Sequence, residues 1–136
     1  MSILSRLRRS IRGRPAPDEP ASLADGKGRV HLLAGDFRNE AEARAYCYDA
    51  ALNQPEQLTR DQPGAFIDTA HVEVDFGDHI ARLTEIFTPP VATDLIEQID
   101  GQNTLIIIAE PAFGSLPYRL ADTDMLSYLG PQIVDI

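Results

Sequence analysis

The sequence predicts a single compact domain of the α/β (α+β) class, with a mixed β-sheet of about four strands and helices packed on one face. Three patterns indicate this class. Residues 104–109 form an apolar run typical of a strand buried on both faces, residues 70–76 alternate apolar and polar side chains, and residues 92–99 repeat apolar side chains at the helical period. Strands and helices follow one another in the predicted order βαβααββ, which favours layers of helix and sheet.

The distribution of arginine and proline predicts the domain organisation. The chain has 136 residues and a net charge of −9, yet residues 1–14 contain five arginines and no acidic residue. Residues 15–28 hold three prolines and two glycines among few apolar side chains, as a linker does. We therefore expect a basic amphipathic tail over 1–14, a Pro/Gly-rich linker over 15–28 and an acidic α/β domain over 29–136.

The first half of the domain contains one strand, one helix and a loop. Residues 29–35 are mostly apolar and end in glycine, which indicates the first strand. Asn39 and Glu42 form a capping-box-like pair at the start of a helix predicted over 40–52. Residues 53–64 are polar and contain two prolines and a glycine, so we expect a loop there.

The second half contains the predicted centre of the sheet. Residues 70–76 are expected to form a strand with one exposed face, and residues 78–87 and 89–100 two helices, the second with prolines in its first turn. The helix over 89–100 leads directly into residues 104–109, so we expect it to cover one face of that central strand. The first strand and the 70–76 strand should flank it. Residues 125–129 are predicted as the last strand, which the pair Gly130-Pro131 separates from residues 133–136.

Composition excludes several classes of function. An acidic body repels phosphates, so direct binding of nucleic acid is not expected. The chain has no apolar run of about 18 residues that would span a bilayer. Cys47 is the single cysteine and cannot form an internal disulfide, which favours a reducing, cytoplasmic compartment. We expect it to be a small core residue.

No catalytic residue and no cofactor are predicted. Ser115 lies outside any nucleophile-elbow pattern, and the chain has neither a phosphate-binding glycine loop nor a Cys-x-x-Cys pair. A weak set of candidate metal ligands lies on or near the polar face of the 70–76 strand, namely His71, Glu73, Asp75 and His79. Polar side chains on the exposed face of a half-buried strand need no function, so the simpler interpretation is a solvated face.

Acidic residues are concentrated near the ends of the predicted elements. If these residues converge, they form a negative surface suited to a basic protein partner. The alternative is that they serve solubility alone. The candidate partner-binding residues are Asp36, Glu40, Glu42, Glu73, Asp75, Asp78, Glu110, Asp122 and Asp124.

Five features shared along the chain carry a resemblance to a known family. They are the opening strand ending in Gly35-Asp36-Phe37, the acidic helix from Asn39 to Tyr46, the helix pair spanning Leu83 to Ile99, the apolar strand from Leu105 to Ile108, and the closing Ser127-Tyr128-Leu129-Gly130. In these features residues from about 30 to 136 resemble the immunity protein 22 family. Its members are small acidic bacterial proteins, encoded beside polymorphic toxins and thought to neutralise them. The resemblance implies a toxin-binding inhibitor.

These observations together favour a non-enzymatic bacterial binding protein, an immunity-like inhibitor that docks an acidic surface on a basic toxin domain. One alternative is a membrane-peripheral accessory protein in which residues 2–13 make weak contact with an anionic membrane surface. The side chains making that contact would be Ile3, Leu4, Leu7, Arg8, Arg9 and Ile11. A second alternative is a small metal-dependent enzyme that uses the four candidate ligands.

Overall fold

The computed structural model describes residues 26–135. Its strands are β1 (Lys27–Gly35), β2 (Val72–Phe76), β3 (Thr104–Ala109) and β4 (Leu126–Asp135). Its α-helices are α1 (Glu40–Tyr48), α2 (Gln57–Asp61), α3 (His79–Ile86) and α4 (Pro89–Ile99), and the segments Thr69–His71 and Glu110–Phe113 are 3₁₀ turns. The α+β class, the four strands and their predicted order with the helices are confirmed, with α2 as an additional element.

The four strands form one sheet in the order β2-β3-β1-β4. β3 therefore lies between β1 and β2, as the sequence predicts for the apolar run. Every neighbouring pair is antiparallel, so the expectation of a mixed sheet is wrong. β1 and β2 do run in the same direction, since both end opposite Thr104, but β3 separates them and is antiparallel to both.

Helices cover both faces of the sheet, whereas the sequence predicted helices on one face. α3 and α4 bury Leu83 and Leu95 against Leu105 and Ile107 of β3 on one side. α1 and α2, with the loop after β3, bury a larger cluster against the other side of the same strand, including Ile106 and Ile108. A strand that is apolar on both faces needs cover on both, which explains the two layers.

The helices begin with recognisable signals but differ from their predicted lengths. Asn39 caps α1 by accepting a hydrogen bond from the Glu42 amide at 2.8 Å. α1 ends at Tyr48, short of the predicted residue 52, and the alanines at 50 and 51 are exposed. α2 lies inside the predicted loop 53–64, where the buried side chain of Leu58 anchors it. Five residues are too few to show a helical period, so the sequence does not reveal this helix.

β4 continues to Asp135, although the sequence predicted a strand that ends before Gly130-Pro131. The pairing with β1 shifts by one residue between Leu32, which is opposite Gly130, and Leu33, which is opposite Tyr128. Leu129 is therefore the extra residue of a β-bulge, and Gly130 adopts a φ of 95°. Pro131 is tolerated because β4 lies at the edge of the sheet, where one side of the strand needs no amide donor.

The first strand begins slightly earlier than the sequence predicted. β1 begins at Lys27, two residues inside the predicted linker 15–28. The predicted tail 1–14, with its candidate membrane-contact residues, lies outside the described residues. Within residues 26–135, none of the helices combines the length and apolar character needed to cross a bilayer.

Candidate functional site

The strand register brings acidic residues from separate parts of the chain to one end of the sheet. β1 and β2 finish at this end, while β3 and β4 start there, since Gly35 and Phe76 both face Thr104 and Gly35 also faces Leu126. The residues that follow or precede these strand ends are therefore neighbours in space. We call this surface the acidic end, defined by Asp36, Glu40, Glu42, Asp78, Asp100, Asp122 and Asp124. All except the half-buried Glu42 are exposed.

Asn103 holds three strand connections together at the acidic end. Its side-chain oxygen accepts the Phe37 amide at 3.0 Å, and its side-chain nitrogen donates to the Phe37 carbonyl at 2.8 Å. Its own amide donates to the Asp36 carboxylate at 3.1 Å, and its carbonyl accepts the Gly77 amide at 2.9 Å. The backbone under the carboxylates is therefore fixed by hydrogen bonds. The sequence analysis did not identify Asn103.

Six of the nine predicted partner-binding residues lie at the acidic end, and three do not. Glu73 and Asp75 project from β2 on the side that α3 covers, where Glu73 pairs with Arg82. Glu110 follows β3 at the opposite end of the sheet and joins a buried polar cluster. The nine acidic residues therefore do not form one negative surface, because antiparallel strands place their successive loops at alternate ends of the sheet.

Glu73 is neutralised by its neighbours on α3. Arg82 donates to both oxygens of Glu73, at 2.6 and 2.9 Å, and to Glu85 at 2.8 Å. Burial acts to raise the pKa of Glu73, but the hydrogen bonds with Arg82 and Asp75 and the positive charge of Arg82 together outweigh it and leave the pKa lowered. A carboxylate that already shares both oxygens with a guanidinium has little charge left to offer a partner.

Asp75 lies beside Glu73 on the same strand face and has a different protonation behaviour. Burial, followed by the hydrogen bond and negative charge of Glu73, raises the pKa of Asp75 to about 7. One Asp75 oxygen and Nδ1 of His79 are buried without a hydrogen-bond partner among the described residues. Two acidic groups that share one proton behave in this way when they cannot both ionise cheaply.

The candidate metal ligands do not form a metal site in the described part of the chain. Across residues 26–135, no group of three or more His, Cys, Asp or Glu side chains is arranged to hold a metal ion. His71 is exposed at the start of β2, whereas His79 is buried at the first residue of α3. The two histidines are thus on different elements, and Glu73 is occupied by Arg82.

A buried polar cluster around His31 lies at the end of the sheet opposite the acidic end. His31 is only 2% exposed, on the β1 face that α1 covers. Its Nε2 lies 3.0 Å from the Glu110 carboxylate and 3.1 Å from the Tyr118 hydroxyl, and its Nδ1 lies 2.8 Å from the Tyr128 hydroxyl. Phe113 stacks on Tyr118 with ring centroids 3.9 Å apart. Each titratable member of this cluster is therefore hydrogen-bonded.

Burial determines the protonation state of His31, and the hydrogen bonds of the cluster determine its tautomer. Burial lowers the pKa of His31 despite the opposing effect of the Glu110 carboxylate, so the imidazole is neutral at pH 7. A neutral ring that donates from Nε2 to Glu110 accepts at Nδ1 from the Tyr128 hydroxyl. Tyr118 donates to the same Glu110 oxygen at 2.9 Å. One tautomer thus satisfies both tyrosines and both ring nitrogens.

The sequence analysis missed this cluster. His31 interrupts an apolar strand as a single polar residue, which was the available signal, but its partners are 79, 87 and 97 residues away along the chain. Among them it had identified only Glu110, as a candidate for a different surface. Long-range pairing of this kind depends on strand register, which the sequence pattern alone does not provide.

Cys47 behaves as the predicted core residue. It is fully buried in α1, and burial raises the pKa of its thiol to about 12, so the thiol stays protonated. A protonated, inaccessible thiol is a poor nucleophile. Ser115 lies in an exposed turn with a φ of 63°, and among the described residues its side chain forms no hydrogen bond with a histidine.

Two clefts lie at the end of the sheet opposite the acidic end, one on each face of the sheet. One, of about 630 Å³, is lined by residues of β2 and α3 that include Glu73 and Arg82. The other, of about 560 Å³, is lined by the start of β1 and by the turn after β3, and it includes Arg29 and Glu110. The two ends of the sheet therefore differ: one carries the exposed carboxylates of the acidic end, and the other carries the two clefts.

Comparisons with known proteins do not assign either surface to a family. No family model, no curated protein and no solved structure matches the chain. The function has to be inferred from the geometry and charge of the described residues.

Proposed function

We propose that this chain is a non-enzymatic bacterial binding protein, an immunity-like inhibitor that acts in the cytoplasm by docking its acidic end on a basic protein domain. The observation that supports this function is the convergence of seven carboxylates from four separate parts of the chain at one end of the sheet. A basic toxin domain is the partner class that best complements this charge.

The carboxylates of the acidic end are available to a partner. Arg38 pairs with Glu42 at 2.7 Å, whereas the aspartates at 36, 78, 100, 122 and 124 are exposed and form no salt bridge within the described residues. Exposed charges of one sign raise the rate of encounter with an oppositely charged surface. Asn103 fixes the backbone beneath them, so little conformational entropy is lost when a partner binds.

The resemblance to the immunity protein 22 family supports the same function. The resemblance covers the part of the chain that carries the acidic end, including Gly35-Asp36-Phe37 and the acidic start of α1. A protein that neutralises a nucleic-acid-cleaving toxin has to compete with phosphates for basic residues, and a cluster of carboxylates is suited to that task.

The experiment pairs the chain with the product of the neighbouring gene. The two proteins are co-expressed, and both survival of the host and formation of a complex are measured. We expect the wild-type chain to bind and protect. The triple variant Asp36→Asn, Asp78→Asn and Asp124→Asn should bind at least about tenfold more weakly, because it removes three steering charges without changing side-chain size.

A matched control separates local charge from total charge. Asp49, Asp68 and Asp135 are exposed aspartates outside the acidic end, where Asp135 pairs with Lys27, so the triple change to asparagine removes the same formal charge from another part of the surface. We expect this control to bind as wild type does. Equal weakening by both triple variants would reject docking through the acidic end, and absence of any complex with a neighbouring gene product would reject the inhibitor function.

A further inference from the structure

The cleft beside the His31 cluster has the features of a small-molecule site. Its volume is about 560 Å³, within the range of about 300–1,000 Å³ that ligand pockets occupy. Its walls are residues 27–30 at the start of β1, residues 109–111 and 113–116 after β3, and Val134 of β4. Leu116 in this wall is 52% exposed, so an apolar ligand would cover surface that now faces water.

Two opposite charges lie side by side in the cleft without pairing. Val30 is opposite Ala109 in the register of β1 and β3, so Arg29 and Glu110 occupy the next facing positions, on one side of the sheet. Among the described residues the two side chains form no salt bridge with each other, and the Arg29 side chain forms no other salt bridge or hydrogen bond, although its backbone pairs with Ile133 of β4. Both side chains line the cleft.

Buried side chains hold the Glu110 carboxylate in position. One Glu110 oxygen accepts hydrogen bonds from His31 and from Tyr118, whose rings are both buried. The second oxygen has no hydrogen-bond partner among the described residues, and 21% of the Glu110 side chain is exposed. A carboxylate oriented by two buried donors, with its other oxygen unoccupied, is a preorganised acceptor for a cationic group.

We propose that this cleft binds a small zwitterion with an apolar body, of the size of an apolar dipeptide. The ligand ammonium group donates to Glu110, its carboxylate pairs with the Arg29 guanidinium, and its apolar side chains pack against Pro111 and Leu116. Charge complementarity selects this class, because a simple anion is repelled by Glu110 and a simple cation by Arg29. This binding is independent of docking at the acidic end.

Three chemically matched probes test the proposal on the full wild-type chain. Leucyl-leucine carries both charges, its N-acetyl derivative lacks the ammonium group, and its C-terminal amide lacks the carboxylate. Binding is followed by amide chemical shifts in ¹H–¹⁵N spectra, with Gly28, Gly114 and Ser115 as reporters in the cleft wall. We expect leucyl-leucine to shift these reporters, and each blocked derivative to bind at least about tenfold more weakly, since each loses one charge-assisted hydrogen bond.

Variants assign the two charges. Arg29→Gln should reduce the preference for leucyl-leucine over its C-terminal amide, and Glu110→Gln should reduce the preference over the N-acetyl form, while the glutamine oxygen still accepts from His31 and Tyr118. Arg60→Gln, on α2 outside the cleft, is the control and should change neither preference. Unshifted reporters at about 10 mM leucyl-leucine, equal binding of all three probes, or shifts at the acidic end instead would each overturn the proposal.

Discussion

At the scale of single residues, His31 is the centre of a buried hydrogen-bonded cluster. It lies in the core at 2% exposure and is hydrogen-bonded at both ring nitrogens. Because burial lowers the pKa of His31 below the ordinary value of 6.5, the imidazole binds a proton less readily in the folded chain than in the unfolded chain. The free energy of unfolding should therefore depend on pH through this residue.

The first prediction concerns stability in mild acid. Below pH 6.5 the unfolded state binds a proton at His31 that the folded state does not, so stability should fall as the pH decreases from 7 toward 5. Urea unfolding at several pH values measures this slope. The variant His31→Gln should be less stable at pH 7 but should show a smaller slope, and an unchanged slope would contradict the assignment to His31.

The second prediction concerns Asp75 and has the opposite sign. With a folded-state pKa of about 7 against an ordinary 3.8, Asp75 binds a proton in the folded chain that the unfolded chain releases. Its contribution is fully present below pH 3.8 and is lost as the pH rises to 7. Asp75→Asn keeps a neutral side chain, so it should stabilise the protein by roughly 1 kcal/mol at pH 8, after allowance for solvent screening.

The comparison across pH identifies the cause. At pH 3 wild type and Asp75→Asn should have nearly equal stability, because Asp75 is then mostly protonated in both the folded and the unfolded chain. Glu73→Gln provides the reciprocal test, since it removes the carboxylate that acts with burial to raise the pKa of Asp75. A stability difference between wild type and Asp75→Asn that does not change with pH would show that Asp75 is ionised in the folded chain.

At the scale of elements, the acidic end depends on the connection before β3. Asn103 bonds to the backbone after β1 and to the backbone after β2, so it links two strand ends through one side chain and its own carbonyl. The helical and strand periods of the sequence cannot predict the role of such a residue, because it lies in a connection between a helix and a strand. The geometry of the acidic end could therefore not be predicted from the sequence pattern, whereas its acidic composition could.

The third prediction tests that linkage. Asn103→Ala leaves the Phe37 amide and carbonyl without their side-chain partners and should destabilise the domain by about 1–3 kcal/mol. It should also weaken partner binding, because the carboxylates lose their fixed backbone. Thermal unfolding and binding are measured together, with Gln102→Ala, a neighbouring half-buried residue, as control. Full binding by Asn103→Ala would show that the acidic end needs no such support.

Elements with a strong period were predictable, and those built by tertiary contacts were not. β3 and α4 match their predicted positions within a residue, because an apolar run and a regular i, i+3, i+4 pattern report burial directly. α2 and the continuity of β4 through Gly130-Pro131 were not predicted. In both segments the local sequence favours a turn, but tertiary contacts stabilise a regular element instead. In α2 this contact is the burial of Leu58, and in β4 it is the pairing with β1.

At the scale of the whole molecule, charge separates the two ends of the sheet. The fourth prediction is that association with a basic partner slows as ionic strength rises, since the Debye length shortens from about 10 Å at 0.1 M to about 3 Å at 1 M salt. Stopped-flow measurements across this range give the association rate constant. Dissociation should change much less, and an association rate independent of salt would argue against electrostatic docking.

The bulge at Leu129 has a consequence for how the length of β4 can vary. Tyr128 and Leu126 face the α1 side of the sheet, while Val134 on the same strand packs on the α4 side, so the extra residue changes the parity of the strand. Loss of one residue here would turn either the Tyr128 hydroxyl away from His31 or Val134 out of its layer. Homologous strands should therefore gain or lose residues between these two points in even numbers.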